Sequence, residues 1–246
     1  MTRLPYATVT IVVIATAACS ARATIYPGNG NTGFGGPIGL GSLELTDNGT
    51  TVSGTLNRGG SGLNDVLVIY IDSVSGGFAD TSGFNDSNDG LRKAISGIDG
   101  SGNRSLMTFS SGFAPDYAIA LGPASDSFGG LWQLANGGAN SLNYINSANL
   151  NPTGTATSSS YTFSFNLADI GLTPGAGQSI ELFGTYISNT GYRSTEAILG
   201  NDAGSQGWNP FLQTAFVSYT TVPEPALPAL IGASGLLAAA FARRRA

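Results

Sequence analysis

The sequence predicts an all-β protein folded as a single antiparallel β-sandwich of the jelly-roll kind, and three observations carry that expectation. Glycine makes up 36 of 246 residues and is spread along the chain as turn punctuation. Between the glycines lie roughly ten short runs enriched in β-branched and aromatic residues. Helical periodicity is nearly absent, and no internal repeat is evident.

Taken in order, residues 42–46 (SLELT) and 50–57 (TTVSGTLN) form a hairpin across Asp47-Asn48-Gly49. Residues 65–72 (DVLVIYID) are a continuous apolar run, too short for a helix, and predict a central strand covered on both faces. Strands follow over 105–110, 116–121, 130–135 and 142–146. In 160–167 (SYTFSFNL), Tyr161, Phe163 and Phe165 alternate with polar residues, the period of a strand with one buried face. The last strands are 179–188, 196–199 and 214–220. Helical turns are predicted at 91–95, after Asp89-Gly90, and at 167–170, before Gly171. Residues 146–160 are polar and of low complexity, either a surface loop or the approach to a strand.

Both ends stand apart from the fold. Residues 1–23 read as a secretory signal peptide: Arg3 is the positive region, 7–18 (ATVTIVVIATAA) the apolar run, and Ala21-Arg22-Ala23 the small-x-small cleavage pattern. Cleavage would leave Thr24 first. A competing reading is a lipoprotein box at Thr16-Ala17-Ala18-Cys19, with Cys19 lipidated. If Cys19, the only cysteine, instead leaves with the peptide, the domain over 24–221 has no disulfide and no thiolate. That domain holds 14 acidic and 5 basic residues, a net charge of −9 against −5 for the whole chain. Such a surface argues against nucleic acid, whose phosphates need a positive patch.

Residues 222–246 have the order of a stop-transfer signal. Val222-Pro223-Glu224-Pro225 comes first, and its prolines cannot continue a strand. An apolar stretch over 226–242 follows, long enough for a short transmembrane helix of ~25 Å. Arg243, Arg244 and Arg245 in the basic tail (243–246) would be held inside. This segment resembles the PEP-CTERM sorting signal, also known as the ice-binding protein C-terminal domain. The resemblance implies recognition and cleavage near Pro-Glu-Pro by an exosortase of a Gram-negative, exopolysaccharide-making bacterium. It concerns delivery: inner-membrane anchoring before processing, then the cell surface or extracellular matrix.

Chemistry in the ectodomain is sparse. The chain has no histidine, which removes the commonest general base and metal ligand and any Ser-His-Asp or Cys-His arrangement. Paired carboxylates of the glycosidase kind remain formally open, but the spacing of Glu44, Glu181 and Glu196 singles out no pair. No catalytic residue is assigned, and the expectation is a protein that is not an enzyme. Asp80, Asn85, Asp86, Asn88 and Asp89 in 80–90 (DTSGFNDSNDG) are the best oxygen ligands for Ca²⁺, the one cofactor considered. Read as an EF-hand loop, that stretch has Gly90 in place but Ser96 where a bidentate Glu belongs; the alternative is a set of Asx turns. Trp208, Trp132, Tyr192 and Tyr186 are candidate carbohydrate platforms, with Trp208 in a loop-like context and Trp132 in an apolar strand that favours burial.

Three further stretches, VLVIYID through Gly77, APDYAIAL (114–121) and FNLADIGL (165–172), are similar to the DOMON-like, family-9 carbohydrate-binding β-sandwiches. That likeness implies the fold more than the ligand, since the group's Trp sugar clamp has no counterpart here. The leading functional expectation is a non-catalytic exported envelope or matrix protein, facing exopolysaccharide or a surface partner. A carbohydrate-binding module is the alternative, and a secreted hydrolase the third.

Overall fold

The structure, a computed structural model, describes residues 23–123, 128–135, 142–145 and 148–223. The first half carries strands β1 (Thr24–Pro27), β2 (Ser42–Asp47), β3 (Thr51–Asn57), β4 (Val66–Asp72), β5 (Met107–Thr108) and β6 (Tyr117–Gly122), with helix α1 (Gly90–Ser96) between β4 and β5. The second half carries β7 (Phe128–Leu134), β8 (Leu142–Tyr144), β9 (Ser160–Asn166), β10 (Ser179–Ile187), β11 (Arg193–Ile198), β12 (Gly200–Ala203) and β13 (Phe211–Thr220). A 3₁₀ turn at Leu167–Ile170 closes on Gly171.

The strands form two sheets. The small one runs β1-β2-β3-β9; the large one runs β12-β13-β10-β4-β6-β7-β8. β10 pairs with β4 along one side, while its other side is shared by β13 and β11. All pairings between these strands are antiparallel except the two-residue contact of β5 with β13. The sheets face each other across a core in which Leu43, Val52, Leu56, Phe163 and Phe165 of the small sheet meet Leu67, Ile69, Ile71, Ile119 and Leu182 of the large one. The alternation Tyr161, Phe163, Phe165 therefore does turn one face of β9 inward.

β4 explains why the large sheet needs a second cover. Leu67, Ile69 and Ile71 face the inter-sheet core, while Val66, Val68 and Tyr70 face the other way. That outer face is sealed by Leu91, Ala94 and Ile95 of α1 and by Phe84, Met107, Phe109 and Phe113 from the segment between β4 and β6. A strand with both faces dry reads as a continuous apolar run. α1 starts where expected: the Asp89 side chain accepts the Arg92 N–H (2.8 Å) as N-cap, and Gly97 closes the helix in the left-handed region.

Several elements differ from expectation: β11 and β13 begin at Arg193 and Phe211, three residues before the expected 196 and 214. The run 105–110 keeps only two residues of strand, because the Ser105, Met107 and Phe109 N–H groups bond to Gly97, the Thr81 hydroxyl and Ala79 instead. β1 is not among the expected strands; it is a four-residue edge strand (TIYP) with Ile25 facing solvent. β12 is not among them either: its GNDA sequence opposes strand formation and is held by β13 across a bulge. Inside β3, Gly54 lies under the ring of its register partner Phe163, where a Cβ would collide at 2.3 Å.

Among the described residues no helix is long and apolar enough to cross a membrane. Val222 and Pro223 are the last residues described. Ala21, Glu224, Pro225, the segment 226–242 and Arg243, Arg244 and Arg245 lie outside the described residues. Ala23 is exposed.

Candidate functional site

Four aromatic rings from distant parts of the chain meet at one place. Tyr186 on β10 lies beneath, Phe34 packs edge-on to it at 5.6 Å, Tyr192 stacks on Phe34 at 6.1 Å and 16°, and Trp208 stands edge-on to Tyr192 at 5.7 Å. Phe34, Tyr192 and Trp208 are half-buried. Sequence reasoning names Tyr192 and Trp208 but misses Phe34, a lone aromatic in the glycine-rich stretch 33–41; that isolation is the available signal.

Each ring is positioned by a polar anchor. Residues 34–39 wrap around the buried Glu196 carboxylate, whose Oε1 accepts the Phe34 and Gly36 N–H groups (2.6 and 3.1 Å) and whose Oε2 accepts those of Ile38 and Gly39 (3.0 and 3.1 Å). Gly36 supplies the left-handed backbone (φ +80°) that lets consecutive N–H groups converge. Tyr192 closes the turn between β10 and β11, where Ser188 N–H donates to its carbonyl at 2.8 Å. The turn carrying Trp208 is held by Gly207 N–H to Arg193 O (2.9 Å) and by Asn209 Nδ2 to the Ser205 and Gln206 carbonyls.

Two of the sequence candidates do not belong on such a surface. Trp132 is 1 % exposed, on a strand whose outer face is roofed by Arg92 (5.5 Å above the ring) and Tyr144. Tyr186 is also 1 % exposed, and its hydroxyl accepts the Asp65 N–H at 2.9 Å. Neither ring can offer a face to a sugar, because each belongs to a strand interior packed on both sides.

The Asp/Asn loop is organised by guanidinium groups. Asp86 is fully buried, with Oδ2 3.1 Å from Arg92 Nε, and Arg92 also pairs with Asp89. Arg104 donates to the carbonyls of Thr81 (2.6 Å) and Phe84 (2.8 Å) and to Asn85 Oδ1 (2.9 Å). Asp80 caps Ser82, and Asp86 Oδ1 accepts the Asn88 N–H at 3.2 Å. Among the described residues no group of three His, Cys, Asp or Glu is placed to hold a metal ion. Because Arg92 pairs with both Asp86 and Asp89, millimolar CaCl₂ is expected to leave the melting temperature where a chelator leaves it; a calcium-dependent rise of several degrees would place a cation in this loop.

Other carboxylates act as main-chain braces. Asp72 accepts the Ala114 N–H (2.7 Å), and Asp116 accepts those of Ser73 and Val74. Burial, with Asp116 adding to it, pushes the Asp72 carboxyl above its usual range. At the far end of the fold, Asp47 Oδ1 accepts the Val222 N–H (2.9 Å) and Oδ2 the Tyr219 hydroxyl (2.7 Å). Thr221 is paired to Gln178 through both its N–H and its hydroxyl, and Pro223 bridges to Ala176. The chain is thus tied down up to the first proline of the Pro-Glu-Pro triplet.

No family model matches this chain, and no match was found among the curated proteins or the solved structures.

Proposed function

We propose that the chain is a non-catalytic exported protein of the cell envelope or extracellular matrix, an exosortase substrate that presents its β-sandwich to exopolysaccharide or a surface partner. One observation carries the reading: the strands occupy the interval between the two targeting segments read from the sequence. β1 begins at Thr24, the residue that signal cleavage would expose, and β13 ends at Thr220, two residues before Val222-Pro223-Glu224-Pro225. The clamp by Asp47 and Gln178 secures the last residues of the domain, and every strand pairing among the described residues is made by residues up to Thr220. Four of the five basic residues in 24–221 serve inside the fold: Arg58 on the carbonyls of Ser158, Gly60 and Ser61, Arg92 and Arg104 in the Asp/Asn loop, and Arg193 on the Thr185 hydroxyl. The presented surface therefore offers few free cations.

Replacing Pro223, Glu224 and Pro225 by alanine is expected to leave the full-length chain in the membrane fraction of its native host, where the unaltered chain is released at lower mass. Release at an unchanged processed mass would rule out exosortase handling.

A further inference from the structure

We infer that Phe34, Tyr192 and Trp208, with the amide side chains of Asn31, Gln206 and Asn209, form a binding platform for neutral polysaccharide. This rests on the reading of the domain as one presented to exopolysaccharide, and adds to it the site and the ligand class. Three observations select that occupant.

First, the rings form one contiguous, half-buried strip assembled from three separate segments, with Tyr186 packed under Phe34. Trp208 in particular leans on a turn, not on a strand, and contributes little to either core. Flat rings of fixed orientation are what the C–H faces of a pyranose pack against, and they lose little freedom on binding.

Second, amide side chains neighbour the rings along the chain: Asn31 precedes Phe34, and Gln206 and Asn209 flank Trp208. Asn31, Gln206 and Asn209 are all exposed. Asn31 Nδ2 is held by the Thr195 carbonyl at 2.8 Å, and Asn209 Nδ2 by the Ser205 and Gln206 carbonyls, which fixes both side chains and leaves their amide oxygens as acceptors. The Gln206 Oε1 lies against Gly33, only 3.0 Å from where a Cβ would stand. Oriented amide donors and acceptors match sugar hydroxyls, each of which both donates and accepts.

Third, charge points away from the other occupants. The charged residues that neighbour Tyr192 on β11, Arg193 and Glu196, are fully buried and engaged with Thr185 and with the main chain. The domain is strongly acidic overall, so an anionic polysaccharide, a nucleic acid or an anionic lipid surface would be repelled without a compensating cation.

Affinity electrophoresis of the full-length chain in detergent tests this, with gels containing a mixed-linkage β-glucan, a galactomannan, dextran or alginate. Retardation is expected in at least one neutral gel and not in alginate. Trp208→Ala and Tyr192→Ala should each weaken it at least about tenfold, about 1.4 kcal/mol. Trp208→Phe should recover most of the effect, and Tyr144→Ala, which alters an exposed aromatic on β8 at the opposite edge of the large sheet, should retain it. A melting scan of each variant separates lost binding from lost folding, and Gln206→Ala reads the same site without touching a ring. Overturning outcomes are no retardation by any neutral gel, retardation unaffected by Trp208→Ala, or a Trp208-dependent dimer in place of glycan binding. None of these would alter membrane release of the chain, so a failure here is distinct from failure of the sorting reading.

Discussion

Glu196→Ala is expected to remove a large share of the protein's stability at room temperature. The carboxylate is fully buried and accepts four main-chain N–H groups from residues 34–39. Removing it leaves donors that cannot all find water, each at roughly 1–3 kcal/mol. Even with partial hydration the loss is at least about 4 kcal/mol, a large share of the roughly 5–15 kcal/mol typical of a domain. Glu196→Gln preserves shape but turns an NH₂ group toward two of the four donors, so about half that loss is expected. Urea unfolding should report a lower midpoint with little change of slope. A loss below about 1 kcal/mol for Glu196→Ala would mean that the segment does not depend on this anchor. Because Phe34 belongs to the anchored segment, the glutamine variant should also loosen the aromatic strip.

What can be read in advance follows from which forces are local. β4 is legible because a strand dry on both faces must be apolar at every position, and β9 because a strand dry on one face must alternate. α1 and the 3₁₀ turn announce themselves through Asp89 and Gly171, whose capping roles act within a few residues. β12 is illegible because Gly200, Asn201 and Asp202 form a strand only through pairing with β13. The candidate site divides in the same way. Trp208 stands out beside a glycine, but its partnership with Phe34 spans most of the chain and depends on Glu196, whose four acceptor contacts have no spacing rule. Trp132 and Tyr186 show the converse: an aromatic in a strand is legible as apolar, yet which face it occupies is decided by the sheets' second cover.

Asp202 gives the second large effect, and its sign is fixed by burial. It is 8 % exposed on β12, and desolvation pushes its carboxyl up to about 7, against the pull of Arg193 and of the Thr185 hydroxyl. Arg193 is fully buried, with Nη1 donating to Thr185 (3.0 Å) and its guanidinium over the Phe211 ring at 5.6 Å. Desolvation outweighs the attraction of that cation, so the carboxyl holds its proton up to near neutral pH. The folded chain therefore binds a proton that the unfolded chain, with an ordinary aspartate near 3.8, releases. The resulting stabilisation is complete below about pH 4, declines as pH rises, and is gone above about pH 7. A carboxyl raised from 3.8 to about 7 makes that stabilisation roughly 4 kcal/mol. Asp65 and Asp72, whose carboxyls are also raised, slope the same way. Asp202→Asn mimics the protonated acid in shape and keeps a polar partner for Thr185. The variant should match the parent near pH 4 and exceed it by a few kcal/mol at about pH 8, with a flatter profile between. Urea midpoints across that range decide the matter: a variant that loses stability at the alkaline end would mean that the ionised Asp202–Arg193 pair holds β11 and β12 together, and that the buried carboxyl is charged at neutral pH.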